Sequence, residues 1–232
     1  MIRYIDKPLF YTTAILFVGG LLILASASIV LSQQKFGSIG GYAWRQLVSG
    51  GLAGIAAFLI GLRVPYRMWK KFSLPLMLLS FILLAMLFLP NFSYSFGGAR
   101  RWLQFGPINF QPSEILKLTF VMYLASWLDA RRSEVASISY GLVPFSVMLG
   151  IIGIFLIMQP DFGTLGVIVV TAGILYFLGG GKANQIISLA LFGLAAAYLV
   201  VKAAPYRLDR VLVFLNPGLD PQGKGYQVNQ AL

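Results

Sequence analysis

The sequence predicts an all-α fold, a polytopic membrane helix bundle. Of the 232 residues, 58% are hydrophobic and only 11% are charged, whereas an ordinary soluble domain has roughly 25% charged residues. The apolar residues form seven long runs, and most of the charges lie between the runs. Because a helix of about 20 apolar residues crosses the hydrocarbon core of a bilayer, each run is a candidate span.

The predicted spans follow one another through connections of various lengths. The first run is longer than the apolar region of a signal peptide, which has about 7 to 15 residues, so we interpret it as a span. Glycines such as Gly50, Gly51 and Gly54 indicate close helix packing rather than a phosphate-binding loop. The seven spans are predicted near residues 9–31, 44–62, 72–90, 113–128, 138–158, 164–179 and 185–204.

The positions of Lys and Arg in the short connections predict a cytoplasmic N-terminus. Short cytoplasmic loops are enriched in these residues, and Arg3 and Lys7 precede the first span. The connection at 159–163 has neither residue and is predicted to face outward. The connections predicted to be cytoplasmic contain Arg63, Arg67, Lys70, Lys71, Arg131, Arg132 and Lys182.

After the last span, residues 205–232 are predicted to form a separate segment outside the bundle of residues 1–204. Leu208, Val211, Leu212 and Leu215 follow the i, i+3, i+4, i+7 pattern of one helical face. This pattern predicts a helix lying at the outer membrane surface, ended by the Asn-Pro-Gly sequence at 216–218. The polar residues that follow are predicted to begin a large outer loop.

Composition excludes several kinds of function. The chain has no Cys and no His, which excludes thiol nucleophiles, imidazole bases and the usual structural zinc sites. Any proton transfer must therefore use a carboxylate, a lysine or a tyrosine. The net charge of +11 comes from residues dispersed between apolar runs rather than from one solvated patch, so we predict no nucleic-acid partner.

The stretch from Phe96 to Lys117 places several polar residues between two predicted spans. Gln111, Pro112 and Glu114 form a helix start, since Pro is tolerated in the first turn and an acid near it interacts favourably with the helix dipole. Lys117 follows Glu114 by three positions, so the two can pair on one face. The group is either a capped helix whose lysine extends toward water or a polar face turned into a cavity.

Arg100, Arg101 and Trp102 also allow two interpretations. Arginine and tryptophan anchor helices at the level of lipid headgroups. Guanidinium groups also match phosphate oxygens, and two of them together suit a diphosphate. Arg207, Arg210 and Lys224 would add to the same outward-facing positive field, which a lipid diphosphate substrate would fit.

Asp161 lies in the outward connection before the sixth span. It is predicted either to cap that span or to act as a functional residue. In the second case it would bind a sugar hydroxyl or a metal, or hold a neighbouring polar network. The remaining acids, Asp6, Asp129, Glu134, Asp209 and Asp220, are interpreted as solvated surface charges.

Three motifs occur in order along the chain. They read GGARRWLQFGPINFQPSEILKL at 97–118, QPDFGT at 159–164 and YRLDRVLVFLNPGLDPQGKGYQVNQAL at 206–232. In this order they resemble the SEDS family, the FtsW, RodA and SpoVE proteins of bacterial division, elongation and sporulation, with the FtsW branch slightly favoured. The resemblance covers the whole chain.

The resemblance implies a ten-span protein of the bacterial cytoplasmic membrane, of which about seven spans lie in this chain. It implies a peptidoglycan glycosyltransferase that polymerises lipid II into glycan strands outside the membrane, with a class B penicillin-binding protein as partner. The catalytic Asp of the family would lie beyond Leu232, so the chain is expected to be truncated or split. Matching positions in the outer loop, the fourth span and the fifth-to-sixth connection are Arg101, Trp102, Gln111, Pro112, Glu114, Lys117, Asp161, Gly163 and Thr164.

The sequence leaves two alternatives to the enzyme. The same cationic polar face could pass a diphosphate headgroup, as in a lipid II transporter or flippase. The chain could also be a non-catalytic half that binds a penicillin-binding protein. The enzyme hypothesis uses a carboxylate base and assigns Arg100, Arg101 and Lys117 to the departing diphosphate, and it leaves a divalent cation, Mg²⁺ or Mn²⁺, open as a cofactor.

Overall fold

The computed structural model describes residues 6–89, 93–96, 99–105 and 108–202. Within them, helices predominate and a small antiparallel sheet separates α5 from α6. The helices are α1 (Lys7–Ala27), α2 (Ile29–Phe36), α3 (Gly41–Gln46), α4 (Leu52–Arg63), α5 (Tyr66–Met86), α6 (Pro112–Ala130), α7 (Val143–Met158), α8 (Phe162–Leu178) and α9 (Ala183–Lys202). Single π-helical turns at Leu47–Gly51 and Ile138–Leu142 join α3 to α4 and precede α7.

The helices coincide with the seven predicted spans, although several ends differ. Four helical stretches, Lys7–Ala27, Gly41–Arg63, Tyr66–Met86 and Ile138–Met158, are long and apolar enough to cross a membrane. Two more, Phe162–Leu178 and Ala183–Leu199, are apolar but shorter. The helix of the third predicted span begins at Tyr66 rather than near residue 72, because helical structure continues through basic residues that a hydropathy pattern leaves out.

Residues 99–110, predicted only as an outer loop, contain two strands. The sheet has the order β1 (Ser93–Phe96), β2 (Ala99–Phe105) and β3 (Ile108–Phe110), with antiparallel pairing throughout. Leu103 in β2 is fully buried, and it pairs with Ser93 on one side and Phe110 on the other. The sheet therefore has a buried anchor and leads directly into α6.

The chain divides into two compact units. The first takes in the chain up to Ser126 together with Met158–Thr164, and the second takes in Trp127–Ile157 and the chain from Leu165 onward. The candidate residues that the structure describes all lie in the first unit. Residues 205–232, predicted to form an interfacial helix and the start of a loop, lie outside the described residues.

In the first unit, small and polar residues contribute to helix packing. The rings of Phe10 in α1 and Phe58 in α4 lie 5.9 Å apart. Between α5 and α6, the hydroxyl groups of Ser80 and Thr119 form a buried hydrogen bond of 2.7 Å. Interhelical hydroxyl pairs of this kind are common between membrane helices, where a polar group without a partner is costly. The pair therefore ties α6, which has several candidate residues, to α5.

Candidate functional site

Arg101, one of the candidate residues, lies at a β-bulge in β2. Tyr94 of β1 pairs with Trp102, whereas the adjacent Ser95 pairs with Arg100, so Arg101 is an extra residue on β2. Bulges interrupt the regular alternation of a strand and redirect a side chain. The two neighbouring arginines at the bulge differ in exposure: Arg101 is half-buried and Arg100 is exposed.

Arg101 binds the backbone of the connection between α7 and α8. Its Nε donates to the carbonyl oxygen of Gln159 at 3.3 Å, and one terminal nitrogen donates to the carbonyl oxygen of Pro160. These carbonyls directly follow Met158, the last residue of α7, where carbonyl groups lack helical partners and a cation is stabilised. Arg101 therefore holds the end of α7 to β2.

The two arginines differ in their surroundings, and their joint role as a diphosphate receptor stays a prediction. Arg101 uses two of its donors on backbone oxygens. Arg100 makes no side-chain hydrogen bond or ion pair with the described part of the chain, and Trp102 is 41% exposed. Arg100 and Trp102 are thus the accessible members of this group, while Arg101 is engaged within the protein.

Asp161 caps α8, as one of the two sequence interpretations predicted, and it also accepts hydrogen bonds from a buried polar cluster; its functional role stays a prediction. Its Oδ1 accepts a hydrogen bond from the backbone nitrogen of Thr164 at 3.3 Å, which is an N-cap contact. Its Oδ2 accepts from Gln111 Nε2 and from Ser113 Oγ, both at 3.1 Å. Asp161 is only 6% exposed. The three donors replace the hydrogen bonds to water that a carboxylate loses when it is buried.

Glu114 and Lys117 form the predicted ion pair on α6. Lys117 Nζ lies 2.8 Å from Glu114 Oε1, and the two side chains are 32% and 59% exposed respectively. Glu114 lies in the first turn of α6, where the helix dipole favours a negative charge. The pair is thus accessible, in contrast to the buried cluster around Asp161.

Two residues of the site were missed by sequence reasoning. Ser113 was regarded only as part of a helix start, yet its hydroxyl donates to Asp161. Gln159, the first residue of QPDFGT, is 2% exposed, and its Nε2 lacks a partner among the described residues. A short polar residue between Gln111 and Glu114 could have indicated the first, whereas no local pattern indicates the buried amide of the second.

Among the described residues, no group of three or more acidic side chains is close enough to hold a metal ion, and the whole sequence has no Cys or His. The carboxylate of Asp161 accepts hydrogen bonds from three donors. The divalent cation left open by the sequence stays a prediction. Arg207 and Arg210 lie outside the described residues.

Comparison with known proteins identifies the family. The family model for FtsW, RodA and SpoVE, described as "cell cycle protein", matches residues 7–232. The probable peptidoglycan glycosyltransferase FtsW of Idiomarina loihiensis is 36% identical over 227 residues, covering 98% of this chain and 55% of the relative. Stage V sporulation protein E of Bacillus subtilis is 36% identical over 230 residues, covering 98% and 62%.

Solved structures show the same fold. One describes structural coordination of polymerization and crosslinking by a peptidoglycan synthase complex, and it aligns with a TM-score of 0.66 at 30% identity, covering 91% of this chain and 63% of that one. The rod shape determining protein RodA of Thermus thermophilus aligns with a TM-score of 0.56 at 29% identity, covering 77% and 58%. This chain therefore spans somewhat more than half the length of the relatives it matches. The resemblance found in the motifs is confirmed: the chain is a multi-pass membrane protein of the FtsW, RodA and SpoVE family.

Proposed function

We propose that the chain belongs to a peptidoglycan glycosyltransferase that polymerises lipid II at the outer face of the bacterial cytoplasmic membrane, in cell division or cell-shape maintenance. Family membership supports the reaction class, because relatives over the matched length are named as peptidoglycan glycosyltransferases. The observation that carries the proposal for this chain is the accessible Glu114–Lys117 pair. Ionisable residues in an otherwise apolar helix are costly and mark functional positions.

In the proposed reaction, a sugar 4-hydroxyl attacks the anomeric carbon of a lipid-linked donor, and the diphosphate leaves. Lys117 and Arg100 are accessible cations that would offset the charge developing on the diphosphate. Trp102, exposed beside Arg100, would contact the sugar or the lipid at headgroup level. Arg207 and Arg210 are assigned to the same role on sequence alone, since both are predicted to face the same side of the membrane.

Neither Asp161 nor Glu114 is assigned as the general base. Asp161 is buried and accepts three hydrogen bonds, and Glu114 is paired with Lys117. A base must reach the proton it removes, and both carboxylates are already engaged within the protein. The family resemblance implies that an Asp beyond Leu232 has this role.

We further propose that the N-terminus is cytoplasmic and that a class B penicillin-binding protein is the partner. Basic residues at the ends of α4 and α5, including Arg63 and Arg67, support this orientation through the positive-inside rule. It would place the sheet and the connection between α7 and α8 on the outer side, where glycan strands are made.

The test supplies fluorescent lipid II to two purified samples, the 232-residue chain and the complete product of its gene, each with and without a class B penicillin-binding protein. We expect the complete product with its partner to form glycan strands in detergent. The variant Lys117→Ala should lose most of this activity. If no sample forms strands although each binds lipid II, the enzyme assignment is wrong.

A liposome assay distinguishes the transporter alternative. Lipid II is placed in one leaflet, and its appearance in the other leaflet is followed with and without the protein. Transport without strand synthesis would favour a flippase. Copurification with the penicillin-binding protein, without lipid II binding, would instead favour the non-catalytic half.

A further inference from the structure

Arg101 in β2 and two residues just after β3 hold the connection between α7 and α8. Arg101 donates to the carbonyl oxygens of Gln159 and Pro160. Gln111 and Ser113, the latter in the first turn of α6, donate to the side chain of Asp161 in the same connection. Residues 159–161 are all that separates the end of α7 from the start of α8, so these contacts hold both the backbone of this short segment and its carboxylate.

We propose that Arg101 is a positioning residue that fixes this connection, and thereby Asp161, rather than a ligand for the substrate diphosphate. This proposal deepens the proposed function and depends on it only where activity is measured. Arg101 binds the backbone immediately before Asp161, so it limits how far the Asp161 carboxylate can move from Gln111 and Ser113.

Three observations favour positioning over substrate binding. The bulge makes Arg101 the extra residue of β2 and so allows its side chain to leave the regular alternation. Its Nε and one terminal nitrogen are already directed at carbonyl groups that follow α7, where a cation is stabilised by the helix dipole. Its neighbour Arg100 is exposed and is therefore the arginine that a phosphate can approach without breaking internal hydrogen bonds.

The first test measures how tightly the connection is held, without any substrate. The chain has no cysteine, so Thr164→Cys introduces a single thiol at a position that is 8% exposed and whose backbone nitrogen is bound by Asp161. The labelling rate with a small water-soluble maleimide is measured in this background for Arg101→Ala, Arg101→Lys and the control Arg100→Ala.

We expect Arg101→Ala to raise the labelling rate by about tenfold, because two hydrogen bonds that resist local opening are lost. Arg101→Lys keeps a cation near the carbonyl groups and should give a smaller increase. Arg100→Ala should leave the rate unchanged. Rates are normalised to Ser133→Cys, an exposed position in the turn after α6, so that a globally unfolded variant is recognised by equal labelling at both positions.

The second test replaces the arginine by a covalent link. Arg101→Cys and Pro160→Cys are combined in the complete gene product and joined with a short bis-maleimide, because an arginine side chain reaches farther than the roughly 6 Å between Cα atoms that a disulfide spans. Positioning predicts that the uncrosslinked pair is inactive with lipid II and that crosslinking restores activity. If Arg101 instead bound the substrate diphosphate, the crosslink would not restore activity.

The proposal is overturned by either of two results. Unchanged labelling of Thr164→Cys in the Arg101→Ala variant would show that Arg101 does not hold the connection. Crosslinked Arg101→Cys/Pro160→Cys protein that stays inactive, while the unsubstituted protein is active, would show that the guanidinium group itself acts on the substrate. Because the labelling arm needs no lipid II, it can succeed or fail independently of the proposed glycosyltransferase function.

Discussion

Two helix connections in this molecule are held by different kinds of side chain, charged in one and uncharged in the other. The connection between α7 and α8 is held by charged side chains, Arg101 and Asp161. The connection between α8 and α9 is held by neutral ones: Tyr176 donates to the carbonyl oxygen of Val135 at 2.8 Å, and Gln185 Nε2 donates to that of Ala136 at 3.0 Å. Both sets of contacts join segments far apart in sequence.

The neutral connection shows that a tight turn between apolar helices does not require charge. The ring of Tyr176 also stacks on Phe145 at 4.4 Å, and Gln185 Oε1 accepts from the backbone nitrogen of Lys182 at 3.3 Å. Burying an ion costs more than burying an amide or a phenol, even when the ion is hydrogen-bonded. The buried carboxylate of Asp161 is therefore the more costly of the two arrangements.

The largest expected effect is that of Asp161→Ala. The substitution leaves Ser113 Oγ and the Thr164 backbone nitrogen without this acceptor, and Gln111 Nε2 keeps only its hydrogen bond to Ser113 Oγ. Each hydrogen bond to a charged group contributes about 1.5–3 kcal/mol, and because the three are not additive we expect a loss of about 3 kcal/mol in the free energy of unfolding. Thermal unfolding in detergent should show the loss, together with a loss of strand synthesis.

Asp161→Asn is the matched control, since it keeps the size of the side chain and one acceptor oxygen. An intermediate unfolding temperature is expected for it. If both variants unfolded at the wild-type temperature, the hydrogen bonds of Asp161 would not contribute to stability as the geometry implies.

Gly141→Ala disturbs the region of the neutral connection by packing alone. A Cβ at this position would clash with the carbonyl oxygen of Val135, and this backbone cannot move away as a flexible side chain could. Overpacking of this kind costs about 1–3 kcal/mol. Gly150→Ala, where nothing lies within 4 Å of the added atom, should be nearly neutral in the same measurement. Equal behaviour of the two variants would contradict the close approach of Val135.

Tyr176→Phe removes one hydroxyl and keeps the stacking on Phe145. We expect a loss of about 1 kcal/mol in unfolding free energy, the net value of one hydrogen bond, and no change in strand synthesis. This variant sharpens the comparison, because it separates stability from activity. A large loss of activity with normal stability would show that the neutral connection also has a functional role.

The smallest effect is expected for the pair of Ser80 and Thr119. A double-mutant cycle of Ser80→Ala and Thr119→Val should give a coupling energy of about 0.6 kcal/mol, the average for hydrogen bonds between membrane helices. The value is small because both hydroxyl groups also contact carbonyls of their own helices. A coupling energy above about 2 kcal/mol would contradict this sharing.

Much of the fold was predictable because apolar periodicity and helix-start chemistry are local. The spans, the pairing of Glu114 with Lys117 and the capping by Asp161 all follow from residues close together in sequence. The sheet was missed, although the Gly-Pro sequence before β3 is typical of a turn. The sequence alone could not show which arginine is accessible. That depends on the bulge in β2 and on the hydrogen bond from Arg101 to Gln159, which is 58 residues away.

The central claim is that the accessible charges of α6 serve the substrate, and two ion pairs of the same spacing test it. Lys117 pairs with Glu114 at 2.8 Å in α6, and Arg131 pairs with Glu134 at 3.6 Å in the turn after α6. Ion pairs that water can reach contribute only about 0–1 kcal/mol, so neither substitution should impair folding. The decisive measurement is kcat/KM for lipid II polymerisation by Lys117→Met and Arg131→Met in the complete gene product with its partner. We predict a fall of about 100-fold or more for Lys117→Met and an unchanged value for Arg131→Met; equal values for the two variants would contradict the account.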